Sequence, residues 1–341
     1  MSEYVSKRKN DRTVAKAGER SVIELVRNRL EVLQGSPVPF GDDVAAVVLD
    51  EDRLAVLKTD MLVGKTDVPR GMSLRQAARK AVVMNVSDFA AKGVQPLAVL
   101  VSLGLPRTTS VSDVEEIAEG LNAGAREYGA YVVGGDTGEV SDLVLAVSLY
   151  GTASRSMLML RRGAKVGDVV AVTGFFGKSA AGLRLVTEGC NVPNELGEVL
   201  VSSVFVPKAR LREGLALAAS GAVTSSIDSS DGLAWSLHEL SSMSGVGFMI
   251  DKVPLADEAK QFAECRGIDA FELALYGGEE YELVVTVTPE RWRAAEAAVD
   301  GIGGRLLRIG RVTREKSVLL KLDGKEQPIE ARGWEHFKSK V

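Results

Sequence analysis

Residues 73–105 read SLRQAARKAVVMNVSDFAAKGVQPLAVLVSLGL, and this stretch decides the fold class. Ser73 stands before the run as an N-cap and Gly93 after it as a stop, so a long helix is expected over about 73–92. Residues 97–105 then form an apolar strand. A helix leading directly into a strand is the working unit of a layered α/β fold.

The alternation continues in both directions. Upstream, Val- and Leu-rich strands are expected near 44–49 and 54–57. Downstream come a helix over 111–128, a short strand at 131–133 and another at 143–150. The basic stretch 154–165 lacks a period and reads as a connector. A second block follows, with a strand at 169–173, a turn and helix at 177–185, and helices near 209–219 and 233–242 flanking a strand near 223–227. Strands at 246–250 and 281–287 and a helix from 289 to about 299 complete it. Neighbouring strands mix with strand–helix units, so the expectation is α/β (α+β) with mixed sheets in two domains, 18–153 and 154–341. From Glu19, the residues Val22, Ile23, Leu25, Val26 and Leu30 recur on one side of a helix. Residues 1–17 hold five Lys/Arg and two Asp/Glu with no apolar period, and read as a flexible basic tail.

Composition narrows the function classes. The 341 residues are 45% hydrophobic and 26% charged, enough for a large core. A net charge of −4 supplies no basic field for nucleic acid. No apolar run is long enough for a spanning helix, so no membrane role is expected. Cys190 and Cys265 are the only cysteines and lack metal-ligand spacing. The polar N-terminus lacks the apolar middle of a secretory signal, which makes the cytoplasm the expected compartment.

The chemistry lies in where the aspartates sit. Asp42 and Asp43 follow Gly41 and open one strand, while Lys58-Thr59-Asp60 closes the next. Gly134-Gly135-Asp136 closes another, and Asp228-Ser229-Ser230-Asp231-Gly232 ends the strand near 223–227. Asp88 sits with Asn85 on one face of an otherwise apolar helix. Any one of these fits a cap or a turn, since Asp serves both. Five such sites in or beside apolar segments point instead to hard oxygen ligands for Mg²⁺, without His or Cys. Gly277-Gly278-Glu279-Glu280 repeats the arrangement of glycines before carboxylates. Gly177-Lys178-Ser179 imitates a P-loop end, but the required earlier glycine is Val172. His238 reads as a hydrogen-bonded structural histidine on an amphipathic helix, and no nucleophile–base pair is evident.

Taken in order, these segments resemble the thiamine-monophosphate kinase family, of the superfamily that also holds aminoimidazole ribonucleotide synthetase and selenophosphate synthetase. The likeness runs from about Gly18 to Phe337. It rests on Gly41-Asp42-Asp43, Thr59-Asp60-Met61-Leu62-Val63, Asn85-Val86-Ser87-Asp88, Gly134-Gly135-Asp136-Thr137, the segment Arg161 to Asp168, Asp228 to Leu233, Gly277 to Leu283, and Gly333-Trp334-Glu335-His336-Phe337. The resemblance implies a two-domain synthetase-like fold whose N-terminal domains pair in a homodimer and form an intersubunit β-barrel. It implies Mg²⁺-dependent transfer of the ATP γ-phosphoryl group to thiamine phosphate, with several ions bound. By position, Asp43, Thr59, Asp60, Asp88, Asp136 and Asp228 match metal-site residues, and Asp231 a further ion. Of these, Asp43, Asp60, Asp88, Asp136 and Asp228 would carry catalysis. Gly135, Asp136, Arg161 and Ser230 match ATP contacts, while Glu279 and Trp334 match the acceptor pocket. Three positions depart from the family pattern. Lys58 stands in the metal site where Ser or Thr is frequent, so that its ammonium would replace one ion or reach a phosphate. Asp67 takes a His position facing the acceptor, and Glu280 replaces Asp. The alternatives are another acceptor within the superfamily, or a nucleotide-binding scaffold without catalysis.

Overall fold

The computed structural model describes residues 13–337. Most of the expected basic tail, residues 1–12, lies outside the described residues, and its remainder holds one helical turn, α1 (Val14–Ala17). With α2 (Glu19–Arg27) and residues 334–337, this turn belongs to a small unit. Within it, the His336 backbone N–H donates to the Glu19 carboxylate at 2.9 Å, and the Trp334 and His336 rings meet edge-on at 5.9 Å.

The large unit spans Ser36–Gly333 and holds two sheets. The first half contains β1 (Ala45–Val48), β2 (Arg53–Val63), α3 (Gly64–Asp67), α4 (Leu74–Lys92), β3 (Gln95–Leu105), α5 (Val111–Glu127), β4 (Tyr131–Glu139) and β5 (Val144–Ser154). The strand order is β1-β2-β5-β3-β4, antiparallel except for β3 and β4, which α5 joins by a parallel crossover. One face packs Val56, Leu62, Val99, Val101, Leu145, Val147 and Leu149 into a core with α4 and α5. The other face leaves Leu57, Met61, Leu100 and Tyr150 exposed. The sheet is open, with β1 and β4 at its edges.

Helix α4 forms as its sequence signals require. The Ser73 hydroxyl accepts from the Gln76 N–H at 3.2 Å, while the Gln76 side chain accepts from the Ser73 N–H at 2.9 Å. Such a capping box contributes on the order of 1 kcal/mol. At the other end Gly93 adopts φ 67°, which a Cβ would oppose. Helix α5 approaches α4 closely because Gly120 and Gly124 face it. A Cβ at Gly120 would run into the Arg75 carbonyl, and one at Gly124 would lie 2.9 Å from the Val82 Cβ.

The second half contains β6 (Val169–Val172), α6 (Lys178–Glu188), α7 (Asn194–Phe205), α8 (Leu211–Ser220), β7 (Val223–Asp228), α9 (Leu233–Ser244), β8 (Gly247–Ile250), α10 (Asp257–Arg266), α11 (Ala270–Tyr276), β9 (Leu283–Val287), α12 (Trp292–Asp300), β10 (Leu307–Thr313), β11 (Val318–Leu322) and β12 (Lys325–Pro328). The order is β12-β11-β8-β10-β6-β9-β7, antiparallel except for β8 with β11.

Two strands run further than expected. Pairing of β2 with β5 continues to Val63 opposite Val144, so Asp60 lies within the strand and does not close it. Likewise β4 pairs with β3 as far as Glu139, which puts Asp136 in mid-strand. Backbone pairing with a neighbour, invisible in a local window, sets these lengths. Helices α7, α10 and α11 and strands β10 to β12 answer to no expectation. Strand β10, central in its sheet, is broken by a register shift between Arg308 and Gly310 that spoils its alternation.

Candidate functional site

Helix α4 is buried along most of its length, including Lys80, Asn85, Ser87, Asp88 and Lys92. Polar groups taken out of water need partners, and theirs define the site. Asp43, just before β1, Asp88 on α4 and Asp228 at the end of β7 converge so that one oxygen of each lies within 4.8 Å of the others, all three buried. Ser87 donates to Asp228 at 2.7 Å. Lys58 on β2 places its ammonium 2.9 Å from Asp88 and 3.9 Å from Asp60. Lys92, with no exposed side-chain surface, reaches Asp42 at 2.7 Å, Asp43 at 2.8 Å and the Ser226 carbonyl at 2.8 Å. Arg161 grips Asp43 through both Nε, at 2.7 Å, and Nη2, and its Nη1 donates to the Gly41 carbonyl at 3.0 Å.

Burial and crowding set the ionisation. Burial, then the neighbouring Asp228, Asp43 and Asp60, push Asp88 well above the usual carboxylate range, against the pull of Lys58. Burial and Asp43 push Asp228 up to about 6, opposed by the Ser87 hydrogen bond. Burial also opposes ionisation of Asp43, but Arg161 and Lys92 outweigh it and hold that carboxyl below its ordinary value. Burial disfavours the Lys58 charge, yet Asp88 and Asp60 keep it protonated above its ordinary range. Two carboxyls that resist ionising beside each other are stabilised by an added cation. Asn85 Oδ1 and Ser229 Oγ, neighbours in sequence of Asp88 and Asp228, are buried without a hydrogen-bond partner. An all-oxygen set of this kind fits a hard divalent cation such as magnesium.

The other expected residues fall into distinct places. Thr59 points to the opposite sheet face from Lys58 and Asp60, where its hydroxyl donates to the Val147 carbonyl at 3.2 Å and accepts from Ser148 at 2.9 Å. Gly135 and Asp136 lie on β4, every residue of which is exposed, outside the three-carboxylate cluster. A Cβ at Gly135 would strike the Val101 carbonyl of β3, so glycine is needed there for strand approach. Ser230 is exposed and Asp231 half-buried on the turn after Asp228. Trp334 belongs to the small unit. Glu279 meets the buried Lys80 at 2.5 Å, and Lys80 also donates to the Asp67 carbonyl at 3.2 Å. The Asp67 carboxylate accepts from the Val63 N–H at 2.7 Å.

Residues 277–282 form a strained turn against the Asp228 segment. Glu279 at φ 64° and Tyr281 at φ 54° occupy the left-handed region, uncommon for side chains other than glycine. Their N–H groups donate to the carbonyls of Ser230, at 2.7 Å, and Ser229, at 3.1 Å. The Tyr281 phenol is buried and pushed well above its ordinary value, first by burial and then by Glu279, Asp60, Asp228 and Asp67. Glu280 caps the false P-loop: its Oε1 accepts from Gly177 at 2.6 Å and Ser179 at 3.0 Å, so a carboxylate satisfies that helix N-terminus. Burial pushes Glu280 up to about 7 despite those bonds. His238 Nε2 pairs with the Ile329 carbonyl at 2.8 Å, a structural role.

Lys80, Ser87 and Lys92 were not among the expected site residues. The signal was the spacing Asn85, Asp88, Lys92 on one face of an apolar helix, with Lys80 lower down in the same Ala/Val run.

Two family models match the chain in sequence: "AIR synthase related protein, N-terminal domain" over residues 41–153 and "AIR synthase related protein, C-terminal domain" over 165–323. A thiamine-monophosphate kinase of Pyrococcus horikoshii is 38% identical over 92% of this chain and 96% of its own length. One of Nitrosopumilus maritimus is 36% identical over 87% of this chain and 93% of its own. A solved structure described as "AaThiL complexed with AMPPCP and TMP" superposes with a TM-score of 0.84 at 32% identity, covering 96% of this chain and 99% of the other. With these likenesses running through both sheets and the carboxylate cluster between them, the chain belongs to the thiamine-monophosphate kinase family of AIR synthase related proteins.

Proposed function

We propose that the protein transfers the γ-phosphoryl group of ATP to the phosphate of thiamine phosphate. The bond from the γ-phosphorus to the bridging oxygen breaks, a bond to an acceptor phosphate oxygen forms, and thiamine diphosphate and ADP leave. The observation that carries this reading is the buried convergence of Asp43, Asp88 and Asp228, in a chain whose relatives bear that kinase's name. Two polyanions must meet in this reaction, so positioning and charge neutralisation dominate the barrier. Bound magnesium would supply that neutralisation, held by Asp43, Asp88 and Asp228 with Asp60 beside them. Thr59, Asp136 and Asp231 complete the proposed metal set.

This chain's own cations share the work. Lys58 supplies one fixed positive charge at Asp88, where it takes the place of an ion. Arg161, now engaged with Asp43, is the group that turns to the nucleotide phosphates, joined by Gly135, Asp136 and Ser230. Glu279 and Asp67 face the acceptor.

A homodimer fits the exposed sheet face. Leu57, Met61, Leu100 and Tyr150 present apolar surface, and the edge strand β4 exposes Tyr131, Val132 and Val133. An open, apolar sheet invites pairing with a second copy, the arrangement from which an intersubunit barrel would close. Residues 18–153 would then form the dimerising domain and 154–341 the other, in an enzyme of the cytoplasm.

The test is incubation with ATP, magnesium and thiamine phosphate, followed by chromatography, with Asp60→Asn as control. Equal amounts of thiamine diphosphate and ADP, lost in the variant, are expected. ATP binding that requires magnesium and Asp60 but yields no thiamine diphosphate would refute the acceptor and keep the site.

A further inference from the structure

Lys80 is a lysine in the middle of a buried helix, with 1% of its side chain exposed, and none of the reaction's groups accounts for it. Its ammonium makes two contacts, 2.5 Å to the Glu279 carboxylate and 3.2 Å to the Asp67 carbonyl. These two partners come from opposite halves of the large unit: Asp67 ends α3 beside the first sheet, and Glu279 sits in the turn before β9 of the second.

The Glu279 backbone has little freedom left. Its N–H donates to the Ser230 carbonyl, its own carbonyl accepts from the Ser179 hydroxyl at 3.0 Å, and φ is fixed at 64°. A left-handed non-glycine residue is strained, and such strain persists only where surrounding contacts over-determine it. The two neighbouring carboxylates are already committed elsewhere, Glu280 to the α6 N-terminus and Glu282 to Arg210 at 2.8 Å and Thr173 at 2.7 Å. Only the Glu279 side chain remains partly open, at 30% exposure, and Lys80 decides where it points.

We propose that Lys80 is a positioning residue for the acceptor pocket: its ammonium clamps Glu279 and the Asp67 backbone in one place, so that the acceptor meets a pre-set carboxylate. The inference rests on the reading that Glu279 faces thiamine phosphate, and goes beyond it by adding the group that aims Glu279. A pre-aimed side chain spares the acceptor the cost of ordering it.

The experiment is steady-state kinetics on the full chain, with wild type, Lys80→Met, Glu279→Gln and the double variant, each checked by circular dichroism and thermal unfolding. Loss of one charge-assisted contact predicts that Lys80→Met raises KM for thiamine phosphate about tenfold, with KM for ATP within about twofold of wild type. In the Glu279→Gln background, adding Lys80→Met should change KM for thiamine phosphate by less than about twofold, because the clamp has nothing left to aim. A lower melting temperature with both KM values unchanged would reduce Lys80 to a structural ion and overturn the proposal. So would an equal Lys80→Met effect with and without Glu279. Should Lys80→Met fail to fold, Lys80→Gln, which keeps a polar head in the buried site without the charge, takes its place with the same expected and overturning readings. Wild-type turnover of thiamine phosphate is read separately, so failure of the assigned reaction is not confused with failure of the clamp.

Discussion

Replacing Lys92 by methionine keeps the chain length and removes only the charge, which makes it the sharpest probe of the site's electrostatics. The Lys92 ammonium and the carboxylates of Asp42 and Asp43 have no exposed side-chain surface. Removing one member of a buried ion pair costs about 3–5 kcal/mol, because the partner charge stays desolvated. Here two features pull the value down. Arg161 still holds Asp43, and Asp42 Oδ1 keeps the Asp43 N–H at 2.9 Å. A loss near the lower end, about 3 kcal/mol, is expected in urea unfolding followed by tryptophan fluorescence with the metal chelated. Adding millimolar magnesium should restore part of it, since a divalent cation supplies the charge that Asp43 lacks. Adding Asp42→Asn should restore another part, because one orphaned carboxylate disappears. A loss below about 1 kcal/mol, or none of it recovered by either change, would refute the argument that Lys92 neutralises this pair.

Three other outcomes follow from the same contacts. Lys58→Ser removes the ammonium at Asp88 and should let the chain take up one more equivalent of Mn²⁺ in an electron paramagnetic resonance titration; unchanged stoichiometry with unchanged turnover would sink the idea that Lys58 stands in for an ion. Glu280 has an ordinary value of 4.5 and is raised to about 7, so the folded chain holds its proton more tightly than the unfolded chain. Its contribution is therefore complete below about pH 4.5 and is lost as pH rises through about 7. Glu280→Gln keeps the acceptor for Gly177 and Ser179 without the charge, so its melting temperature relative to wild type should climb between about pH 5 and 8; a constant difference would count against the shift. Leu100→Arg puts a charge on the exposed sheet face and should turn a dimer into a monomer in size-exclusion chromatography with light scattering; an unaltered dimer would place the interface elsewhere.

Much of this protein was legible in the chain because its signals are local. The span of α4 followed from Ser73 and Gly93, since capping uses groups within one turn. The strand ending at Asp228 was expected from the short segment 223–227, β-branched at both ends and stopped by polar turn residues. The weak P-loop claim of Gly177-Lys178-Ser179 failed on a missing glycine, and Glu280 fills that helix N-terminus. The carboxylates stood out by type and place, and Asp43, Asp88 and Asp228 do meet.

What the tertiary structure alone decided is everything that depends on a distant partner. Strands β2 and β4 outrun their apolar runs because β5 and β3 lie beside them, which moves Asp60 and Asp136 from strand ends to strand interiors. Alternation along β2 then separates Thr59 from Lys58 and Asp60, a consequence of pleat and register with no trace in composition. The sequence set two lysines in a helix of alanines and valines but not what they neutralise. Their partners, Asp42 and Asp43 for Lys92 and Glu279 for Lys80, lie tens to hundreds of residues away. A buried charge is tolerable only where its counter-charge arrives, and that arrival is a property of the folded chain.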